Sequence, residues 1–350
     1  MKNLILTTFL IIISYGFSYG QELEKGKEYN VITIGFYNLE NLFDTLDTEG
    51  VHDTEFTPAG DKIWNSERYQ QKLQNMAKVI SEIGTETSPD GPAIIGVCEI
   101  ENKSVLEDLV KQHAIKNRNY QIVHYNSPDR RGIDVAFLYQ PKYFKLESSQ
   151  KIDLIMEDST FKTRNQLLMT GELDGERTHF MVAHWPSRRG GQKRSAPKRA
   201  AAAKLAYSVV DSIKKAEPNA KVLFMGDLND DPKSKSMTEH MHSIGKLKKL
   251  NSGDLYNPME SLYLKGIGTL AWRDNWNLFD QMVLTQAFLA KNNDFSTYSY
   301  FKAKVFNKLY LQQKTGNFKS YPFRTYVGPN YQGGYSDHFP VYMLLIKEKK

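Results

Sequence analysis

The sequence predicts an α/β (α+β) protein in which β-sheets pack on each other with helices outside, arranged as one domain. Short β-rich runs alternate with helical stretches along the 350 residues, and several of these runs are apolar on both faces. The chain shows neither a long linker nor an internal repeat. Its 40% hydrophobic and 25% charged residues are typical of a compact globular protein rather than a disordered chain.

The first predicted element is a secretory signal peptide over residues 1–20. Lys2 precedes the apolar run 4–13, and small or weakly polar residues lead to Gly20. The apolar run is half as long as the roughly 20 residues that a bilayer-spanning helix needs. We therefore expect cleavage near Gly20, no stable membrane insertion, and a periplasmic or extracellular domain over residues 21–350.

Hydrophobic periodicity predicts the remaining elements. Helices are expected over residues 66–83, 103–112 and 198–215. The expected strands cover residues 31–37, 93–98, 120–124, 134–139, 167–172, 179–183, 221–225, 280–284 and 340–346.

Cysteine content and charge exclude several kinds of protein. Cys98 is the single cysteine, so an intramolecular disulfide framework and a zinc site built on several thiolates are both excluded. Without residues 1–20, which hold one lysine and no acid, the net charge falls from +6 to +5. That mild excess is compatible with anionic substrates but does not demand nucleic acid.

Polar residues able to bind a metal or a phosphate recur just past six predicted strand ends. Charged groups against apolar strands are costly to desolvate unless they are paired or bound to a cation, so the repetition predicts one shared site. Singly, each residue also has an ordinary interpretation, such as a turn for asparagine or a buried core histidine. The candidates are Asn38, Glu40, Glu99, His184, Asp227, Asn229, Asp280, Asp337 and His338.

The ligand types indicate the chemistry. Carboxylate and amide oxygens without thiolates suit Mg²⁺, Mn²⁺ or Ca²⁺ rather than a structural zinc ion. Two histidines then remain for acid–base or phosphate-stabilising roles, because their ordinary pKa is near neutrality.

This ordered set resembles the endonuclease/exonuclease/phosphatase superfamily, the deoxyribonuclease-I-like phosphohydrolases. The most specific motifs are Gly226-Asp227-x-Asn229 and Ser336-Asp337-His338-x-Pro340, and the resemblance spans residues 32–346. The segment 36–44 is similar to exported members from Bacteroidetes-type bacteria. The resemblance implies two central mixed β-sheets, packed face to face and flanked by helices in a four-layer sandwich, with the site at one end.

The resemblance also implies a metal site. Glu99 would be the principal metal ligand, with Asn38 and Asp337 nearby and Glu40 as a helper.

The implied catalytic residues surround that ligand set. Asp227 and Asn229 would orient the attacking water and the phosphate. His338 would act as general base or phosphate contact, polarised by Asp280. His184 would donate a hydrogen bond or a proton toward the phosphate or the leaving group.

Two basic segments leave alternatives open. Arg131 and Arg188 are candidate phosphate contacts at the rim, since arginine forks match phosphate oxygens, although a solvated loop leading into a helix explains Arg188 equally well. The stretch 294–332 is rich in aromatic and basic residues. Such a stretch could hold single strands and bases, or pack its tyrosines onto its own sheet, and we favour packing.

We therefore expect an exported, monomeric, divalent-metal-dependent phosphohydrolase. Its expected substrate is a phosphate ester, and a phosphodiesterase or endonuclease cleaving nucleic acid is the leading hypothesis. The alternatives are a phospholipid or sphingolipid phosphodiesterase, a phosphomonoesterase on a phosphorylated polyol, and a binding module without catalysis.

Overall fold

Two β-sheets form the centre of the protein, as the alternation of strands and helices predicts. The computed structural model describes residues 23–24, 26–158 and 160–349, so the predicted signal peptide lies outside the described residues. The helices are α1 (Ser66–Glu82), α2 (Lys103–Val110), α3 (Gln192–Ala216) and the short α4 (Met259–Tyr263). The strands are β1 (Tyr29–Leu42), β2 (Pro92–Ile100), β3 (Gln121–His124), β4 (Asp134–Tyr139), β5 (Phe144–Ile152), β6 (Gln166–Leu173), β7 (Glu176–His184), β8 (Val222–Asp227), β9 (Ser243–Ile244), β10 (Leu255–Tyr256), β11 (Leu270–Trp272), β12 (Asn275–Asn277), β13 (Asp280–Leu284), β14 (Ser299–Val305), β15 (Tyr326–Val327), β16 (Asn330–Tyr331) and β17 (Val341–Glu348).

The two large sheets are mixed. One has six strands in the order β14-β17-β1-β2-β4-β3, and the other has seven in the order β5-β6-β7-β8-β13-β10-β9. β1 and β2 run parallel, as do β7 and β8, whereas β13 and β17 pair antiparallel to β8 and β1. The predicted fold class, with two mixed sheets flanked by helices, is confirmed.

Alternation along the strands divides the apolar residues into layers. In β8, Leu223 and Met225 face the core between the sheets, while Val222 and Phe224 face the outer layer that contains α3. On the other side, α1 packs buried residues such as Leu73 against the outer face of the six-stranded sheet. The central strands of both sheets are therefore covered on both faces, which explains why strands such as β2 and β8 are continuously apolar.

Besides the predicted elements the structure contains β5, β9 to β12, β14 to β16 and α4, and α3 starts earlier than predicted. β5 carries many exposed residues and β14 lies at a sheet edge, so neither has the apolar run by which the other strands were predicted. Helix α3 begins at Gln192, whereas the prediction places its start at residue 198, directly after Pro197. The structure places Pro197 in the second turn of the helix. A proline there removes one backbone hydrogen bond without ending the helix.

The helices of the described residues include no segment with the length and hydrophobicity needed to cross a membrane.

Candidate active site

Polar side chains from both sheets meet at one end of the sandwich. The parallel pairs β1–β2 and β7–β8 end there, and β13 begins there. In the strand register His184 lies opposite Asp227, and Asp227 lies opposite Asp280. The structure thus brings these three predicted site residues together.

Asp227 lies at the centre of the site. Its carboxylate accepts hydrogen bonds from the side-chain amide of Asn38 at 3.1 Å and from the backbone amide of Asn229 at 3.0 Å. Its Oδ2 lies 3.5 Å from Nε2 of His184 and 3.9 Å from Nε2 of His338. Burial raises the pKa of Asp227 to about 7, and the positive charge of His338 limits that rise.

A break in strand pairing presents the Glu99 carboxylate to the site. The β1–β2 register shifts between Asn38 and Leu42, and the β2–β4 register shifts around Glu99, whose φ is +58°. The backbone amide of Asn41, also at positive φ, donates to Glu99 Oε2 at 3.1 Å. Such left-handed conformations cost about 1–3 kcal/mol each and persist where surrounding structure enforces them. The remaining oxygen, Oε1, lies 3.9 Å from His184 Nε2.

His184 is buried with its Nε2 toward the carboxylates. Burial holds the pKa of His184 well below its ordinary value, and the nearby charges of Arg164 and Arg131 act in the same direction. Its Nδ1 has no hydrogen-bond partner among the described residues. The neutral imidazole that results can offer Nε2 as a ligand or a hydrogen-bond partner.

His338 and Asp280 form the pair that the motif implies. Nδ1 of His338 lies 2.7 Å from Oδ2 of Asp280, which is fully buried. Burial alone lowers the pKa of His338, but the carboxylates of Asp280 and Asp227 outweigh it and hold that pKa well above its ordinary value. The pairing orients the ring, because a proton on Nδ1 is shared with the aspartate and Nε2 is left facing Asp227.

Two overlapping groups of side chains could hold a metal ion. One consists of Glu99, His184 and Asp227, the other of Asp227, Asp280 and His338, and within each group the ligand atoms lie within 4.8 Å of one another. In the described part of the chain the ion-pair partners of these three carboxylates are histidines. We call these five residues the histidine-paired cluster. Three carboxylates with no lysine or arginine between them fit a divalent cation.

A second set of carboxylates nearby is neutralised from within. Arg324 donates to Asp337 Oδ2 at 2.7 Å and to Glu40 Oε1 at 3.3 Å. Glu40 Oε2 accepts from the backbone amide of Thr325 at 2.7 Å and lies 3.8 Å from the buried ammonium of Lys72. We call Glu40, Asp337, Arg324 and Lys72 the arginine-paired cluster.

Two of the four predicted metal ligands, Glu40 and Asp337, belong to the arginine-paired cluster. The carboxylates of Glu40 and Asp337 face Arg324, while the Oδ1 of Asn38 accepts from the backbone amide of Glu40 at 2.9 Å. Whether Glu40, Asp337 or Asn38 also contacts a metal stays a prediction.

Sequence reasoning missed Arg324 and Arg164. Arg324 lies in the aromatic and basic stretch, and its only signal was a positive charge 13 positions before Asp337. Arg164 is buried, donates to the backbone carbonyl of Trp185 at 2.7 Å and pairs with Asp129 at 3.0 Å. Neither arginine belongs to a local motif, so periodicity and motif spacing could not identify them.

The two predicted rim arginines differ in their surroundings. Arg131 has a half-exposed side chain beside Asp129, and its charge acts on His184. Arg188 instead donates to the backbone carbonyl of Asn229 at 2.9 Å. It also pairs with the carboxylates of Asp230 and Asp231. Arg188 therefore supports the loop after β8, and its contact with substrate remains a prediction.

The aromatic stretch 294–332 packs against the protein, as the favoured interpretation predicts. Phe295, Tyr298 and Phe306 are buried on or beside the edge of the six-stranded sheet. Tyr321 donates to Asp274 in the turn between β11 and β12 at 2.7 Å. The stretch thus covers a sheet edge and supports a hairpin near the site.

A model of the endonuclease/exonuclease/phosphatase family matches residues 33–347. Comparison with curated protein sequences found no match.

Solved structures share the fold at low sequence identity. A protein of this family from Bacteroides thetaiotaomicron is 15% identical, with a TM-score of 0.53, covering 92% of this chain and 97% of that one. TDP2 from D. rerio, complexed with a single-strand DNA product, is 15% identical, with a TM-score of 0.53 and coverage of 90% and 98%. A B. thetaiotaomicron mannosyl-6-phosphatase is 14% identical, with a TM-score of 0.53 and coverage of 90% and 99%.

Proposed function

The chain belongs to the endonuclease/exonuclease/phosphatase family of metal-dependent phosphoester hydrolases, and from this premise we propose that it is an exported phosphodiesterase that cleaves nucleic acid. The observation that carries the proposal is the convergence of Glu99, His184 and Asp227 beside the Asp280–His338 pair. Export rests on the apolar segment at residues 4–13.

A divalent cation fits the histidine-paired cluster. The carboxylates of Glu99, Asp227 and Asp280 converge with histidines as their ion-pair partners among the described residues, and Asp280 Oδ1 has no hydrogen-bond partner there. Buried charges of one sign are costly unless a counter-charge accompanies them. When bound there, a divalent cation neutralises phosphate charge and stabilises the developing oxyanion.

The protein's own residues then have separable tasks. Asp280 holds His338 in one orientation, so that Nε2 can contact the phosphate or the attacking water. Neutral His184 offers Nε2 toward the phosphate or the leaving oxygen. Asn38 and the backbone amide of Asn229 hold the Asp227 carboxylate in place.

Positive charge around the site supports an anionic diester as substrate. Arg131 and Arg324 pair with carboxylates of this chain, but each keeps about half of its side chain exposed. Arg164 lies buried near His184. Arginine forks bind phosphate oxygens with two parallel hydrogen bonds. A polymer of phosphodiesters would present such oxygens on both sides of the bond that is cleaved.

A phosphomonoesterase acting on a sugar phosphate is the second candidate. It is favoured by the similarity to a structure named a mannosyl-6-phosphatase. The same cluster could serve either reaction, because a monoester and a diester both need their charge neutralised at the reacting phosphate.

A substrate panel tests the proposal. The purified protein is assayed with Mg²⁺, Mn²⁺, Ca²⁺ or chelator on single- and double-stranded DNA, RNA, a hexose phosphate and phospholipid vesicles. We expect nucleic acid to be hydrolysed fastest, with no hydrolysis in chelator and none by Glu99→Gln. Hydrolysis of the hexose phosphate alone would favour the second candidate, and turnover of vesicles alone would favour a lipid substrate.

Export is tested separately in the native host. Mass spectrometry of the protein from the envelope or the medium should find a chain that begins near Gln21. Recovery of the intact Met1 terminus would contradict cleavage.

A further inference from the structure

A groove of about 1170 Å³ lies beside the candidate active site. The first turns of α3, the loop that follows β8 and the β11–β12 hairpin form its walls. The lining side chains on which the argument rests are Arg188, Lys193, Lys233, Lys235, Trp272 and Trp276.

The groove adjoins the loops that carry site residues at two points. Arg188 lines it and donates to the backbone carbonyl of Asn229 at 2.9 Å. Trp276 lines it and stacks on Phe339, the neighbour of His338 in the chain, with ring centroids 6.0 Å apart at an interplanar angle of 14°. A chain bound in the groove would therefore lie next to the loops that hold Asn229 and His338.

Positive charge predominates in the groove. Its two acids are engaged by arginines: Asp230 lies 3.1 Å from Arg188 and 2.8 Å from Arg199, and Asp231 lies 3.1 Å from Arg188. Lysines supply the remaining charge.

Two of these lysines have carboxylate partners, of which Glu260 is buried and Glu239 is exposed. Lys233 lies 3.5 Å from Glu260 and Lys235 lies 3.3 Å from Glu239. The Lys235–Glu239 pair is exposed on both sides and is worth about 0–1 kcal/mol, so a phosphate can compete for Lys235. Lys233 lies beside the buried Glu260, but about half of its own side chain is exposed to a ligand in the groove. Lys193 is exposed at the start of α3.

An exposed aromatic side chain lines the same groove. Trp272 is 67% exposed at the end of β11. The turn residues Arg273 and Asp274 both have positive φ, which is the type I′ geometry of a tight hairpin, and Tyr321 hydrogen-bonds to Asp274. Tyr321 thus fixes the hairpin turn while Trp272 remains exposed. So large an apolar side chain is usually buried.

We propose that this groove binds single-stranded nucleic acid, with phosphates on the lysines and a base stacked on Trp272. This inference rests on the proposed function and deepens it by naming the strand form. Single strands are chosen because only unstacked bases expose a face to an aromatic side chain.

Binding without hydrolysis tests the proposal. A fluorescently labelled 15-nucleotide single strand of DNA is titrated with the purified protein in chelator, and the Kd is read from anisotropy at several salt concentrations. Trp272→Ala should weaken binding about tenfold and Trp272→Phe much less, since a stacked base contributes about 1–3 kcal/mol. Lys233→Glu/Lys235→Glu should weaken binding and lower the salt slope by about 0.7 for each lost phosphate contact.

A matched control uses a lysine outside the groove. Lys145 is exposed on β5 and paired with Glu172, much as Lys235 is paired with Glu239. Lys145→Glu should leave the Kd within about twofold of the wild-type value, because a single exposed charge far from the ligand acts through screened solvent. Thermal unfolding of every variant shows whether it is folded.

The outcomes separate the two proposals. Unchanged affinity in folded Trp272→Ala and in the double lysine variant, or an equal loss in Lys145→Glu, would overturn the groove assignment. Tighter binding of duplex than of single strand would overturn the choice of strand form. Groove-dependent binding in a protein that hydrolyses no nucleic acid with Mg²⁺ would contradict the proposed function while supporting the groove.

Discussion

Two clusters of carboxylates at the same end of the sandwich differ in what neutralises them. In the arginine-paired cluster, Glu40 and Asp337 have a guanidinium and a buried ammonium from the same chain. In the histidine-paired cluster the carboxylates have histidine partners, and one of these, His184, is held neutral by burial.

This difference suggests a structural role for the arginine-paired cluster and a catalytic role for the histidine-paired cluster. A cluster that contains its own cations has its carboxylate charges balanced within the chain. It can therefore form, and hold the loop around Thr325, without a ligand. A cluster in which carboxylates outnumber their cationic partners gains most from an external divalent cation, which then acts on the substrate. Four measurements can sharpen or break this distinction, beginning with the largest expected effect.

The same substitution in each cluster should give very different losses of activity. Glu99→Gln removes a charge from the histidine-paired cluster, and we expect hydrolysis to fall to the level of the chelated enzyme, because the cation loses a ligand. Glu40→Gln should retain activity within about tenfold, an effect on the scale of groups that orient ligands. Initial rates on the best substrate, measured with excess Mg²⁺, decide between them. Equal losses would place Glu40 among the metal ligands.

The Asp280–His338 pair should act as one unit. Asp280→Asn and His338→Ala should each lower kcat by about 10²- to 10⁴-fold, the range of general acid–base groups. The double variant should be little slower than either single one, since residues that work together are strongly non-additive. Multiplicative losses would show that the two residues act separately, and unfolding at ordinary temperature would give both a structural role.

Lys72 should matter for stability more than for chemistry. Its side chain is 1% exposed, donates to Thr325 Oγ1 at 2.7 Å and to the backbone carbonyl of Tyr335 at 2.6 Å, and lies beside Glu40. Lys72→Met leaves a buried carboxylate short of one partner, so the free energy of unfolding in urea should fall by about 3 kcal/mol.

Lys78 supplies the control on the same helix. It is exposed and lies over the ring of Tyr310, so Lys78→Met should cost under about 1 kcal/mol. Adding Glu40→Gln to Lys72→Met should restore part of the loss, because the unpaired charge is removed. A double variant less stable than both single ones would contradict the pairing.

The smallest expected effect is thermal stabilisation by the cation. Mg²⁺ at 100 times its Kd should stabilise the wild type by about 2.7 kcal/mol and raise its Tm by several degrees. Glu40→Gln should keep this shift and Glu99→Gln should lose it. Calorimetric scans with and without Mg²⁺ make the comparison, and a full shift in Glu99→Gln would move the cation site elsewhere.

Much of the fold could be predicted from local pattern. Strands such as β2 and β8 are buried on both faces and therefore read as unbroken apolar runs. β5 and β14 lack that pattern because each lies at a sheet edge with exposed residues. The predicted start of α3 at residue 198 is wrong because Pro197 resembles a helix boundary, whereas it lies in the second turn, where the helix continues despite one lost hydrogen bond.

The sequence by itself determined which chemical groups stand at the strand ends. Carboxylates, amides and two histidines follow apolar runs, and that order indicates an oxygen-rich site because buried charges need partners. Only the tertiary structure decided how those groups are divided. Arg324 and Glu40 are separated by 284 positions, so their pairing depends on where the sandwich brings the chain together. The division between the arginine-paired cluster and the histidine-paired cluster follows from that long-range contact, because Coulomb energy depends on distance in space rather than along the chain.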